Sequence, residues 1–165
     1  MLEDELNNRI ELIKANLIER GKSFTINLSR QVENHIASFN FSGVMEAVNE
    51  GVEHNEEIKY AILMDASAVA HIHTHRPDLA QTELTGLRDQ EALGQKNVAA
   101  TAYKEGDESV IEIVSPIQIS TEPWGVLRLI YTLRFLEREI ETSRKQVRQE
   151  TNKMIYRSTV TSLGW

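Results

Sequence analysis

The sequence predicts an α+β fold in which one five-stranded antiparallel sheet is flanked by a long N-terminal helix and followed by a C-terminal exit helix. Three observations predict it. Apolar residues recur at helical spacing from Leu2 to about His35. Between Glu57 and Thr132 the pattern changes to five short stretches rich in strand formers, separated by turn residues. A charged helical segment with a strict heptad then ends the chain. With 165 residues, the chain is long enough for one domain with a sizeable core.

The first helix is marked by Leu6, Ile10, Ile13, Leu17 and Phe24, with Leu28, Val32 and Ile36 continuing its face. Gly21 allows a bend within it. A helix of this span is roughly 50 Å long, which is long for so small a domain. Val44, Val48 and Val52 place a short helix over Phe41–Val52. Glu57–Met64 and Val69–Thr74 form a hairpin across the turn Asp65-Ala66-Ser67-Ala68. Pro77–Lys96 is a polar crossing loop with a helical stretch at Leu87–Leu93. Asn97–Lys104 and Glu108–Ser120 form the third and fourth strands, joined by Gly106-Asp107, with glycine first as a two-residue hairpin prefers. Pro116 suggests an edge or a bulge. Glu122-Pro123 turns the chain into the last strand, Trp124–Thr132. The final helix carries Leu133, Ile140, Val147, Met154 and Thr161 one heptad apart, and Glu141 and Lys145 form a favourable i,i+4 pair. Such a thin apolar stripe fits either a helix packed along its own domain or a weak coiled-coil stalk that needs a partner.

Composition narrows the function. The 25 acidic residues exceed the 18 basic ones, for a formal charge of −7. Nucleic-acid binding needs a concentrated basic surface, which this chain lacks. There is no cysteine, so disulfides, thiolate metal sites and thiol catalysis are excluded. No run of residues approaches the ~20 apolar positions that cross a bilayer. The sequence holds no GxSxG, HExxH, Walker loop or GxGxxG, and no carboxylate pair stands out for acid–base work, so the chain is not expected to be an enzyme or to carry a cofactor.

A concave sheet with a loop over it makes a small-molecule pocket, and six residues are candidates to line it. Tyr60 and Tyr103 combine an apolar body with a hydroxyl. His73 and His75 alternate along the second strand with His71, so all three are expected on one strand face. They fit a pocket wall, whose affinity would then titrate near pH ~6.5, or a metal-sensing site of three imidazoles. Arg76 offers a fork of donors to a carboxylate. Arg128 lies in an apolar strand, on the face expected for Trp124, Val126 and Ile130. It either binds an anionic ligand or pairs with an internal acid such as Glu112.

The order and spacing of three stretches resemble single Cache domains, the PAS-like extracytoplasmic sensor modules of bacterial receptors. YAILMDASAVAHIHTHRPDL is similar to the family's first hairpin, VIEIVSPIQI to its fourth strand, and PWGVLRLIYTLRFLEREIETSRKQ to its last strand and exit helix. Two departures stand out. Ala66-Ser67-Ala68 lacks the glycine often found in that turn, and three histidines stand where one is usual. The resemblance covers nearly the whole chain. It implies one sensor domain over residues 1–165, with a leading helix at 1–38, a PAS-like core at 39–132 and an exit helix at 133–165. It further implies a small organic ligand, with a carboxylate or an amino acid as the class, and a membrane-anchored parent with a kinase, cyclase or chemoreceptor output. The location would be periplasmic or extracellular, and the helical pattern suits a parallel homodimer. A ligand-free structural or dimerising module is the alternative. Ser162-Leu163-Gly164-Trp165 then looks like the start of a membrane span, with ~20 apolar residues expected to follow.

Overall fold

A computed structural model describes residues 2–164, with side chains described as far as Thr161. The tail Ser162–Trp165, read above as the start of a membrane span, lies outside these described side chains. Among the described residues, no helix is long and apolar enough to cross a membrane.

Ten elements follow the predicted order. Helix α1 spans Leu2–Ala37 and α2 Phe41–Glu53; strands β1 and β2 span Ile58–Asp65 and Ala70–His73. A short 3-10 turn at Pro77–Leu79 and helix α3 at Leu87–Leu93 cross to β3 at Ala99–Glu105, β4 at Glu108–Ile119 and β5 at Glu122–Thr132. Helix α4 covers Arg134–Gly164. The strands form one antiparallel sheet in the order β2-β1-β5-β4-β3, so the last strand lies at its centre.

The chain forms two compact units. One comprises Ile18–Leu133 and holds the sheet. On one face of that sheet, Ala61, Leu63, Ile113, Leu127, Leu129 and Tyr131 are buried, and Leu28 and Val32 of α1 are buried too. Burial of such side chains is the main driving force for this layer. Helix α1 is continuous through Gly21. The glycine serves close packing: a Cβ there would lie 2.6 Å from Ile113 Cδ1. Thr25 and Tyr131 share a hydrogen bond of 3.2 Å, and burial pushes the Tyr131 hydroxyl up to about 12. The opposite face holds Tyr60, Ile62, Met64, Val110, Val114, Val126 and Ile130, capped by Ala92, Leu93 and Leu84 of the crossing loop.

The other unit joins the start of α1, up to Leu17, with α4. Leu6 and Asn7 line one groove with Val147, Thr151 and Met154. The Glu141–Lys145 pair forms at 3.9 Å. Farther along α4, Met154, Ile155, Tyr156 and Val160 are exposed.

Two turns depart from expectation. The β4–β5 turn uses Ser120 and Thr121, both at positive φ (51° and 71°), and Glu122-Pro123 belongs to β5. Two consecutive left-handed residues match the twist of a tight hairpin, which a turn placed at Pro123 could not adopt, because proline holds φ near −65°. In the β1–β2 turn, Ala68 takes a φ of 67°, and Asp65 Oδ1 accepts the Ser67 and Val69 amides at 2.9 and 3.1 Å. An L-residue with a Cβ in the left-handed region costs roughly 1–2 kcal/mol. Ala68→Gly is therefore expected to stabilise the domain by about 1 kcal/mol, read as a higher urea midpoint with unchanged slope.

Candidate functional site

The loop-covered face of the sheet is the candidate site, and Arg128 organises it. β5 is flanked by β1 and β4, so a side chain from its middle on this face is buried. Arg128 is only 3% exposed. Its Nε donates to Glu112 Oε2 and its Nη2 to Glu112 Oε1, both at 3.0 Å, a bidentate fork. Its Nη1 donates to Asp89 Oδ1 at 2.5 Å. The other oxygen of Asp89 accepts the Gly86 amide at 2.9 Å and so caps α3. One carboxylate thus ties the crossing-loop helix to the central strand. Burial alone would lower the guanidinium's pKa; the two acids outweigh it and hold it above its ordinary value.

Tyr103 completes this group. Its hydroxyl donates to Glu112 Oε1 at 2.9 Å, and the Arg88 guanidinium lies 4.1 Å from its ring centre. Burial and the nearby Glu112 carboxylate push the Tyr103 hydroxyl well up. The space among Arg88, Tyr103 and Glu112 is about 10 Å³, roughly the room of one water. A larger cavity of about 460 Å³ lies beside it, between Leu93–Lys96 and the β4–β5 ends at Pro116, Pro123 and Val126.

Tyr60, His73 and His75 form a neighbouring group. The Tyr60 ring stacks with His73 at 5.4 Å and His75 at 5.0 Å. Its hydroxyl donates to Glu105 Oε2 at 2.6 Å, and burial together with that carboxylate raises its pKa. Lys59 binds Glu105 at 3.1 Å and Glu108 at 2.9 Å, and Thr132 donates to Glu108 at 2.6 Å. His73 Nδ1 accepts the Arg76 amide at 2.9 Å, which favours the tautomer protonated on Nε2. Burial first, then His75, Arg128 and Arg76, hold His73 below its ordinary 6.5, against the opposing pull of Asp89. The Arg76 side chain lies apart from these groups: it is exposed and forks onto Asp78 at 3.0 and 2.7 Å.

Two expectations about faces are corrected. His71 does not share a face with His73 and His75. The register shifts by one residue between Leu63 and Met64, leaving His71 as the extra residue of β2. Likewise, Trp124 leaves the Arg128 face. A shift between Ile117 and Gln118 makes it the extra residue of β5. The two rings meet at 4.9 Å beside Leu63 and Ile72. Among the described residues, no three His, Asp or Glu side chains are grouped to hold a metal.

Sequence reasoning named Glu112 as a partner for Arg128 but missed Asp89, Glu105 and Arg88. A signal for Asp89 existed, since an acid at the third position of a short helix is a capping residue. Its second bond, to a strand distant in sequence, left no local trace.

Neither a protein-family model nor a curated protein matches the sequence. Solved structures match in fold. The sensor domain of Escherichia coli DcuS aligns with a TM-score of 0.60 at 12% identity, covering 79% of this chain and 98% of that one. The ligand-binding domain of the Campylobacter jejuni chemoreceptor Tlp3, in complex with L-norvaline, gives 0.58 at 19% identity, covering 84% and 62%. The sensor domain of the Vibrio cholerae histidine kinase DctB gives 0.59 at 12%, covering 82% and 57%. The chain therefore spans about three fifths of the Tlp3 and DctB domains and nearly all of the DcuS domain. Its fold is the one these sensor domains share, in line with the Cache resemblance of the sequence.

Two predictions follow from the geometry. Glu112→Ala, which leaves Arg128 buried beside Asp89 alone, is expected to cost about 3–5 kcal/mol in urea denaturation. The double variant Arg128→Met/Glu112→Leu should recover most of that loss. The second concerns pH. The folded-state pKa of His73 is depressed, so its stabilising contribution is present above pH 6.5 and is lost as pH falls through the folded value. His73→Asn is expected to flatten that limb of the stability–pH curve.

Proposed function

We propose that this chain is the extracytoplasmic, small-molecule-sensing input domain of a membrane-anchored signal transducer, passing ligand binding to its output through the C-terminal helix. The observation that carries this reading is the position of β5. It is the central strand, it bears Arg128 on the loop-covered face, and it ends at Thr132, two residues before α4 begins. The fold shared with sensor domains of kinases and a chemoreceptor supports it. In this reading residues 1–165 act as one sensor domain, with a leading helix at 1–38 and an exit helix from 133, working as a parallel homodimer outside the cytoplasm. The domain binds rather than catalyses.

A carboxylate or an amino acid is the ligand class. A ligand carboxylate would compete with Asp89 for Arg128 Nη1, and α3 would loosen from the sheet as Asp89 lets go. The cavity of about 460 Å³ beside α3 gives the rest of such a ligand room. The L-norvaline held by the Tlp3 domain is of that class. A polar chain offers a route onward: Tyr60 to Glu105, Glu105 to Lys59, Lys59 to Glu108, and Glu108 to Thr132 at the foot of α4. The signal is limited by the ligand's differential affinity for the two arrangements.

A second reading, a ligand-free structural module, is favoured by one observation. Among the described residues, no buried side-chain nitrogen or oxygen lacks a partner, and the space at Glu112 is nearly filled. A thermal-shift screen of amino acids and of mono- and dicarboxylates separates the two. A true ligand at a hundredfold excess over its Kd stabilises by ~2.7 kcal/mol, and Arg128→Lys should abolish the shift. No hit across the panel would favour the structural reading.

A further inference from the structure

We propose that the chain carries a second small-molecule site on the opposite, helix-covered side of the sheet, built to take a compact neutral ligand with an aromatic body and one hydroxyl group. The two β-bulges point to it. A bulge adds one residue to a strand and re-aims a side chain. Here two separate bulges, one in β2 and one in β5, bring His71 and Trp124 to the wall of the same cavity of about 240 Å³. The rest of that wall is mostly apolar: Ile36, Val44, Leu63 and Ile72 are buried, Phe41 and Met45 stand 57% and 46% exposed, and the Gln81 amide is the remaining polar side chain.

The polar atoms define the ligand. His71 Nε2 donates to Asp65 Oδ2 at 2.8 Å, and Asp65 Oδ1 is occupied by two backbone amides. The carboxylate therefore orients the imidazole and keeps the proton on Nε2, which leaves Nδ1 as a hydrogen-bond acceptor. Within the described residues, Nδ1 has no partner, and neither has the Trp124 indole N–H. One acceptor and one donor on the wall of an apolar cavity match a hydroxyl, which donates to the first and accepts from the second. Among the described residues, no Asp, Glu, Lys or Arg side chain lines the cavity, so nothing in the wall selects an ion. Met45 supplies an adaptable side chain against an aromatic ring. Arg128, Tyr60 and His73 lie on the other face of the sheet, so this site stands independently of the function proposed above.

Trp124 reports on the site directly. In a Trp165→Phe variant of the full chain it is the sole tryptophan, and its emission can be titrated with phenol and with anisole, which has the same ring but no hydroxyl donor. Phenol is expected to give a saturable change, with a Kd about two- to tenfold below that of anisole, the worth of one neutral hydrogen bond. His71→Leu in the same background is expected to erase that preference. Absence of a saturable change at millimolar phenol would overturn the proposal. So would equal affinity for phenol and anisole in the chain with His71 present, a result that does not depend on any His71 variant folding. A preference for phenol that survives His71→Leu would also sink it.

Discussion

A guanidinium buried at the centre of the sheet is the constraint on which the rest of the loop-covered face depends. Arg128 cannot be deprotonated, and moving its charge out of water costs several kcal/mol unless close anions answer it. Glu112 answers from the next strand and Asp89 from the crossing loop. The first bond is internal to the sheet. The second reaches α3 and fixes where that helix sits. Ala92 and Leu93 of α3 then cover the apolar residues around Arg128. Packing and electrostatics are thus satisfied by one placement of one short helix.

This arrangement adds little to net stability compared with an apolar core, because desolvation offsets most of the attraction. What it supplies is a directional contact. Hydrophobic contacts are non-directional, but a three-way contact between Arg128 and two acids has a discrete alternative in which one acid is replaced. Asp89 is the more exposed of the two acids, at 20% against 6% for Glu112, so it is the one a solute can reach. The strand that bears Arg128 is also the one that leads into α4.

The two faces of the sheet solve different problems. The helix-covered face is apolar over most of its area, with Gly21 letting α1 approach Ile113 and Tyr131 closely. The loop-covered face mixes aliphatic residues with Arg128, Glu112 and Tyr103, which are bonded among themselves, and with Tyr60, which is bonded to Glu105. At the end near the β1–β2 turn the distinction breaks down, because two bulges carry His71 and Trp124 across. Asp65 anchors that region by serving the turn with one oxygen and His71 with the other.

Much of this was legible in the residues. The order of elements, the α3 span at Leu87–Leu93 and the Gly106-Asp107 turn follow from local periodicity and turn chemistry, which act within a few residues. The need of Arg128 for an internal acid was legible too, because a cation in an apolar strand has few alternatives. The face of His71 was not, since alternation holds only while the register holds, and a single extra residue reverses it. Nor was Asp89, whose bond to Arg128 spans 39 positions. By itself, the sequence determined which segments are helix and strand and that a buried charge must be neutralised. Only the tertiary structure decided which acid reaches it and which rings share a cavity. Periodicity is a local property of the chain, whereas strand register and side-chain partnership arise from elements that meet only after folding.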